Sequence, residues 1–379
     1  MGSDTIILSA SGLFWLAGFL ILWRIRIRGP NPPYSRVSQS AGSISQSGKG
    51  IQPAGISLAE AGSKPVLSCA PSLSVIIPAR NEAHNLPTLL HSINTQSFLP
   101  LEVIVVNDAS TDRTAELADQ LGAIVIASEP LPDGWRGKTW ACQQGANAAC
   151  GDLLLFVDAD TWFEPDGLKQ ILDSYETGAL SLGPYHAIRR PYEELSVFFN
   201  LIMIASTLPI GLFGQMLLVD RESYRCVGGH ERVKGRTLEN FYMAGHFRKF
   251  GIPVRSQTGK GLLGFRMYPN GLSELMEGWT KGFASGAGQT AWPLLLLIVA
   301  WLTGMMLPLG YLPFSAWAWL LYLLFAAQLG FVFRQVGAFR WYTALLYPVP
   351  LLFFFVLFTW SLLRSGRQVT WKGRTFHAH

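Results

Sequence analysis

Three textures of hydrophobic and polar positions follow one another along the chain. Residues 5–23 are almost wholly apolar, about long enough to cross a hydrocarbon core of roughly 30 Å, and Arg24, Arg26 and Arg28 follow at once. Residues 29–71 are rich in Ser, Gly, Pro and Gln and show no apolar period, as in a tether that builds no core. From Ser72 onward, short apolar runs at 74–77, 101–107, 123–127 and 153–157 alternate with helical stretches at 85–96, 111–121 and 138–150. That alternation predicts an α/β fold with a mostly parallel sheet covered on both faces.

The last third is apolar again, with candidate spans at 292–312, 317–333 and 343–363. Pro348 and Pro350 make the third an imperfect span, re-entrant or interfacial. An outside N-terminus, a cytosolic domain and three full spans would put the basic tail (Arg364, Arg367, Lys372, Arg374) outside, against its charge preference. The stretch 198–213 is also unusually apolar. It reads either as a buried helix or as a segment on a membrane surface or along an acceptor tunnel.

Composition strengthens the membrane reading. Hydrophobic residues make up 49% of the 379 positions and charged ones 15%, well below the roughly 25% of ordinary soluble domains. The mean hydropathy is +0.26. A net charge of +5 fits attraction to anionic headgroups. With no basic run interleaved with aromatics, it argues against nucleic acid as a partner. Positive charge after the first apolar run, and no small-residue cleavage site, point to a retained anchor rather than a signal peptide. Cys69, Cys142, Cys150 and Cys226 form no Cys-x-x-Cys pair, so a zinc site or disulfide framework is not expected.

Polar residues cluster where the predicted strands end, which is where open parallel sheets bind ligands. The first strand runs into Pro78-Ala79-Arg80-Asn81-Glu82, the second into Asn107-Asp108, and the fourth into Asp158-Ala159-Asp160. Two carboxylates one residue apart, just past a buried strand, suit a hard divalent cation that neutralises a diphosphate leaving group. Asp108 can accept hydrogen bonds from a base or ribose; its alternative is an Asx turn. Arg80 and Lys138 can offer positive charge to phosphates. Neither a G-x-x-x-x-G-K-[ST] loop nor a G-x-G-x-x-G fingerprint occurs, against P-loop and Rossmann cofactor readings.

As an ordered set, VIIPARNE, VIVVNDASTDRT and FVDAD resemble the signatures of the family 2 glycosyltransferases, whose fold is that of the nucleotide-diphospho-sugar transferases (GT-A). The later segments GPYHAIRRPYEELSVFFNL, FRMYPNGLSELMEGWTKGFASGAGQT and VTWKGRTF look like those of the 4,4'-diaponeurosporenoate glycosyltransferases of C30 carotenoid pathways. The resemblance implies inverting transfer of one sugar from UDP-glucose, with Mg2+ or Mn2+, to the carboxylate of a long apolar acid. It maps Asp108 to the nucleotide-binding Asp and Asp158 and Asp160 to the metal-holding Asp-x-Asp, with Asp160 the more direct ligand; Pro78, Arg80, Glu82, Lys138 and Asp158 are the further donor-side candidates. Trp279 falls where relatives place an acceptor-side loop, against an interfacial Trp as the alternative. His186 and His230 could touch phosphate or acceptor, although structural histidines are the plainer reading. The Gln-x-x-Arg-Trp of processive synthases is not found.

One departure stands out. Many family members carry Glu-Asp at a later helix start, with the Asp as general base, whereas this chain has Glu239-Asn240. Asn takes no proton, so Glu239 is the nearby candidate. A carboxylic acid with a pKa near ~4 is already ionised at neutral pH, so loss of the Asp is expected to go with an acid acceptor. The expected layout is an anchor (1–28), a linker (29–71), a catalytic domain (72–290) and a membrane region with a basic tail (291–379). That implies a multi-pass protein of the cell membrane with its catalytic domain in the cytosol. The rival acceptors are a polyprenyl phosphate, a hopanoid or diacylglycerol. A transporter or receptor with a nucleotide-sensing domain fits less well, because the terminal apolar segments hold almost no charge.

Overall fold

The computed structural model describes residues 3–26, 71–236, 238–287, 290–364, 369–371 and 374–376. The expected linker falls almost entirely outside them. Helix α1 (Ser3–Arg26) comes first. The α/β region then runs β1 (Leu73–Ala79), α2 (Leu86–Asn94), β2 (Glu102–Asn107), α3 (Thr114–Gln120), β3 (Ile124–Ala127), α4 (Gly137–Ala148), β4 (Leu153–Val157), β5 (Thr161–Phe163), α5 (Gly167–Ser174), β6 (Ala179–Gly183) and β7 (Tyr185–His186). It continues through α6 (Val197–Thr207), β8 (Met216–Asp220), α7 (Arg221–Cys226), α8 (Glu239–Lys249), β9 (Val254–Thr258), β10 (Leu263–Phe265) and α9 (Leu272–Ala287). The last segments are α10 (Trp292–Met306), α11 (Ala316–Val336), α12 (Trp341–Leu345), α13 (Pro348–Arg364) and the antiparallel pair β11 (Val369–Trp371) and β12 (Arg374–Phe376).

The main sheet has the order β3-β2-β1-β4-β8-β6-β9. From β3 to β4 every pairing is parallel, as the alternating pattern predicts. The order reverses between β1 and β4, the switch point where a ligand crevice opens beyond the strand ends. Strand β4 is buried along its whole length, because helices cover both faces of the sheet. The other half is mixed: β8 runs antiparallel to both β4 and β6, while β6 and β9 are parallel. The antiparallel β8 brings the loop before it, Phe213-Gly214-Gln215, to the carboxyl end of β4, where Asp158 N–H donates to the Gln215 carbonyl at 2.9 Å. A second sheet, β5-β10-β7, leaves that end of the main sheet directly after Asp160.

Helix α6 is the buried helix of the two readings offered for 198–213. Phe198, Phe199, Leu201 and Ile204 are fully buried, in one apolar cluster with Ile21 of α1, Trp279 of α9, Trp301 of α10, Phe333 of α11 and Phe354 of α13. Buried polar contacts tie the first helix to the later ones. Ser11 Oγ donates to the Gly304 carbonyl at 2.9 Å, Trp301 Nε1 to Gln328 Oε1 at 2.8 Å, and Gln328 Nε2 to the Trp15 carbonyl at 3.0 Å. Such buried bonds add specific links between the helices beyond apolar packing.

Two helical stretches, Trp292–Tyr311 and Ala316–Val336, are long and apolar enough to cross a membrane, with mean hydropathies of 2.0 and 1.8. The apolar stretches Thr5–Ile21 and Pro348–Leu363 are shorter. The third candidate span is not one helix. It breaks into α12 and α13 just before Pro348, because a proline lacks the N–H for an interior helix bond.

Candidate active site

The carboxyl ends of β1, β2 and β4 converge on one cleft of about 200 Å³, lined by Pro78, Arg80, Glu82, Asp108, Lys138, Asp158 and Asp160 among others. Seven of the residues expected from sequence are thereby brought together. The loops that carry them hold unusual backbone: Asn81 and Ala109 have φ of 53° and 50°, a left-handed region that non-glycine residues enter only with local support. That support is visible. Asn81 Oδ1 accepts from Thr111 N–H at 2.8 Å, and Asn81 N–H donates to Ser110 Oγ at 3.0 Å. The turn after β2 is closed by Asn107, whose Oδ1 accepts from Ser110 N–H at 3.2 Å, while Asp112 caps α3 through Thr114. Asp108 is therefore not the turn-former. It is buried at the cleft wall, with its backbone carbonyl accepting from Arg80 Nη1 at 2.7 Å. Glu82 receives the Asn85 side-chain amide at 2.8 Å, which steadies the start of α2.

Lys138 is the hub of the cleft. Its ammonium lies 2.7 Å from Asp158 Oδ1 and 3.0 Å from Glu239 Oε1, and donates to the Gly214 carbonyl at 2.8 Å. Burial alone would lower its pKa, but the charges of Asp158 and Glu239 outweigh that and hold it above the ordinary lysine value. Sequence reasoning gave Lys138 to the phosphates. The structure shows it already engaged by two carboxylates, a pairing that only the chain crossings create.

Glu239 starts α8 and is almost fully buried. Its Oε1 is at ion-pair distance from Lys138 yet has no aligned hydrogen-bond donor. Asn240 turns the other way: its side-chain amide donates to the Phe213 carbonyl at 2.7 Å and to the Gly214 carbonyl at 3.4 Å. A carboxylate could make neither bond, since it only accepts. Asn240 thus fixes the loop whose Gly214 carbonyl receives Lys138.

Trp279 and His186 lie outside the lining of the cleft. Trp279 is buried, donates from Nε1 to Ser196 Oγ at 3.0 Å and stacks on Phe199 at 5.0 Å, so it is not a Trp exposed at an interface. His186 is fully buried between Phe265 and Phe339, and neither ring nitrogen has a hydrogen-bond partner. Burial pushes its pKa down to about 4, so the ring is neutral. His230 is likewise buried, with Nδ1 2.8 Å from the Tyr224 hydroxyl, and burial takes its pKa down to about 3. Cys142, Cys150 and Cys226 are free thiols.

Tyr268 is the residue that sequence reasoning missed. It precedes Pro269, a position that favours extended backbone, yet its φ is 57°. The Tyr192 hydroxyl donates to its carbonyl at 2.8 Å. Gly278 makes room for the ring, since a Cβ at 278 would lie 2.1 Å from Tyr268 Cε1. The ring meets the Trp279 edge at 5.8 Å. Burial, and then the negative charges of Asp160 and Glu274, raise the phenol pKa. Backbone strain leaves no mark in composition or periodicity, so no sequence signal pointed to it.

A mixed sheet with a crevice at its switch point, an Asp after the second strand and an Asp-x-Asp after the fourth describes a sugar-nucleotide transferase of the GT-A type. Residues 74–195 match the model of the glycosyl transferase family 2. The 4,4'-diaponeurosporenoate glycosyltransferase of Staphylococcus aureus strain USA300 is 37% identical over 331 residues, covering 80% of this chain and 88% of its own length. That of strain MRSA252 matches equally well. The chain belongs to the family 2 glycosyltransferases. Among solved structures, the mannosyltransferase PcManGT from Pyrobaculum calidifontis, in complex with GDP-Man and Mn2+, superposes with a TM-score of 0.52 at 17% identity. The match covers 94% of this chain and 99% of that one, a likeness of fold.

Proposed function

We propose that this glycosyltransferase moves a single glucose from UDP-glucose, with inversion, to the carboxylate of a long apolar acceptor such as a C30 carotenoid acid. The observation that carries the donor half is the cleft itself, which Asp108, Lys138, Asp158 and Asp160 line together. The acceptor half is supported by the 37% identity to enzymes named for diaponeurosporenoate and by Asn240 at the helix start. Polyprenyl phosphate, hopanoid and diacylglycerol remain the rival acceptors.

Asp108 would take hydrogen bonds from the nucleoside, and Arg80, held by the Asp108 carbonyl, would face the diphosphate. Asp158 and Asp160 offer hard oxygen ligands from one strand end, which fit Mg2+ or Mn2+. Among the described residues no group of three or more His, Cys, Asp or Glu could encage an ion. That is compatible, because Mg2+ is commonly held by one or two carboxylates plus substrate phosphates and water. When bound, such an ion neutralises the charge that develops on the departing nucleoside diphosphate. Lys138 brings a further positive charge to the same place.

In the transfer, an acceptor carboxylate oxygen forms a bond to the anomeric carbon while the bond from that carbon to the phosphate oxygen breaks, and UDP leaves with the electron pair. An ionised acceptor has no proton to lose, so no base need stand where Asn240 stands. Glu239 is the carboxylate available if an alcohol were used. The enzyme would work as a membrane protein with an anchor at 1–28, a catalytic domain at 72–290 on the cytosolic side and a membrane region from 291. Arg24, Arg26 and Arg28 favour that orientation.

Purified enzyme incubated with a panel of nucleotide sugars and a carotenoid acid should yield a product heavier by one hexose, and UDP release should vanish in Asp160→Asn. Strict use of alcohol acceptors would overturn the carboxylate assignment. Full activity in Asp160→Asn would overturn the donor site.

A further inference from the structure

A second cavity, of about 720 Å³, lies along the apolar helices and has a different chemistry. It runs along α11, where Leu323, Ala326, Ala327, Gly330, Phe331 and Arg334 all line it. These positions recur every three to four residues, so they form one stripe on one helix face. At ~1.5 Å per residue the stripe is about 16 Å long, close to half of a bilayer's roughly 30 Å hydrocarbon core. Its floor is buried, with Phe333, Phe339 and Ala344 beneath it, while Leu323 and Trp341 at its rim are exposed. Small side chains open the groove: even the Cβ of an alanine at 330 would lie 3.6 Å from Ala344 Cβ. The hydroxyl of Tyr322 donates to the Leu345 carbonyl and holds α12 in place as the opposite wall.

The two ends of the groove differ. Three cations, Lys260, Arg334 and Arg340, line the end nearer the α/β region. Arg340 shares its charge with Glu194, 3.8 Å away, and Lys260 donates to Gln335 Oε1 at 3.4 Å. Among the described residues, no carboxylate lies within ion-pair distance of Lys260 or Arg334.

We propose that this groove is a binding site for one anionic phospholipid, its phosphate on Lys260, Arg334 and Arg340 and an acyl chain along α11. An apolar channel one leaflet deep with an excess of positive charge at one end complements that class of molecule in both length and charge. The sugar acceptor is a poorer occupant. The cationic end adjoins β7, where His186 bridges to Gly337, and β7 and β5 are the two edges of the β5-β10-β7 sheet. At ~4.8 Å per strand, a carboxylate docked on Arg334 would sit roughly 10 Å or more from the strand that follows Asp160.

The test reconstitutes the full chain in nanodiscs of equal parts phosphatidylglycerol and phosphatidylcholine. It then measures, by mass spectrometry, which lipid stays on the protein after mild detergent extraction. The native chain should retain phosphatidylglycerol in preference. Each basic residue removed should lower that preference about five-fold, so Lys260→Gln/Arg334→Gln should bring it down to the bulk ratio. Arg334→Lys, which keeps the charge, should retain most of it. Gly330→Leu, which fills the groove, should lose both lipids alike. UDP release should persist in every variant, which separates a lost lipid site from a lost donor site or fold. Should the double variant fail to fold, Arg334→Gln alone should show the five-fold drop. Unchanged phosphatidylglycerol enrichment in the Gln variants would overturn the proposal. So would native lipid at the bulk ratio, or an enrichment that Gly330→Leu leaves intact and inorganic phosphate displaces, which would mark an anion site without a lipid.

Discussion

The ammonium of Lys138 stands 3.0 Å from Glu239 and 2.7 Å from Asp158, so one cation from the second residue of α4 joins the acidic strand end to the start of α8. Lys138→Met would leave two carboxylates facing the same space without a counter-charge. UDP release should fall at least about 100-fold, as when one preorganised electrostatic partner is removed. Stability should fall by about 1–2 kcal/mol, less than for a fully buried pair because the cleft admits water. Because the neighbouring carboxylates raise the Lys138 pKa, the pair's contribution is present in full below the ordinary lysine value of about 10.4. It is lost only as pH rises through the higher folded value. A pH–rate profile should therefore show no limb from this residue between pH 6 and about 9. Native rates in Lys138→Met would refute this role.

Asn240→Asp is the informative swap at α8. Restoring a carboxylate would place its oxygens against the carbonyls of Phe213 and Gly214, which now accept from the amide. Loss of one buried and one part-buried donor bond costs about 1–3 kcal/mol, and the Gly214 carbonyl that receives Lys138 should shift. The variant should be less stable than the parent and at least about ten-fold slower on a carboxylate acceptor. The pairing of Asn240 with an acid acceptor would fail if Asn240→Asp were as fast as the parent on the acid and also gained alcohol acceptors.

Tyr268, whose ring meets the proposed acceptor-side Trp279, offers a test of that side. Gly278→Ala puts a methyl where the Tyr268 ring lies and should displace that ring from its contact with Trp279. The expected result is a raised KM for the acceptor, by roughly ten-fold, with slow donor hydrolysis unchanged. Tyr268→Phe keeps the packing and should change acceptor KM by less. Equal loss of donor hydrolysis and acceptor transfer in Gly278→Ala would show a merely structural role.

Two buried neutral histidines give the fold a pH dependence. Burial lowers His186 to about 4 and His230 to about 3, against about 6.5 in the unfolded chain. Between those values the unfolded state binds more protons, so stability falls as pH falls below about 6.5. Thermal unfolding of the detergent-solubilised enzyme should show Tm dropping from pH 7 to pH 5. His186→Phe should flatten part of that slope, by at most about 2 kcal/mol between pH 7 and pH 5. An identical slope in parent and variant would exclude His186 as its source.

Much of the molecule is legible in the amino-acid order alone. The runs at 74–77, 101–107, 123–127 and 153–157 became β1 to β4; the central β1 and β4 are continuously apolar because both their faces are covered, while β3 lies at the exposed edge. Their polar ends supplied Arg80, Asp108, Asp158 and Asp160, because residues just past such strands face the crevice. The antiparallel half of the sheet was not legible, since β8 follows a long apolar helix and its partner β4 lies some sixty residues earlier. For the same reason the loop Phe213-Gly214-Gln215 could not be placed in the cleft. The pairing of Lys138 with Glu239, the turning of Asn240 onto two carbonyls, the left-handed Tyr268 and the burial of His186 all depend on which segments cross. Local pattern reports which face of an element is apolar and where it ends. Distances between side chains far apart in sequence are decided by packing, and only the tertiary structure contains them.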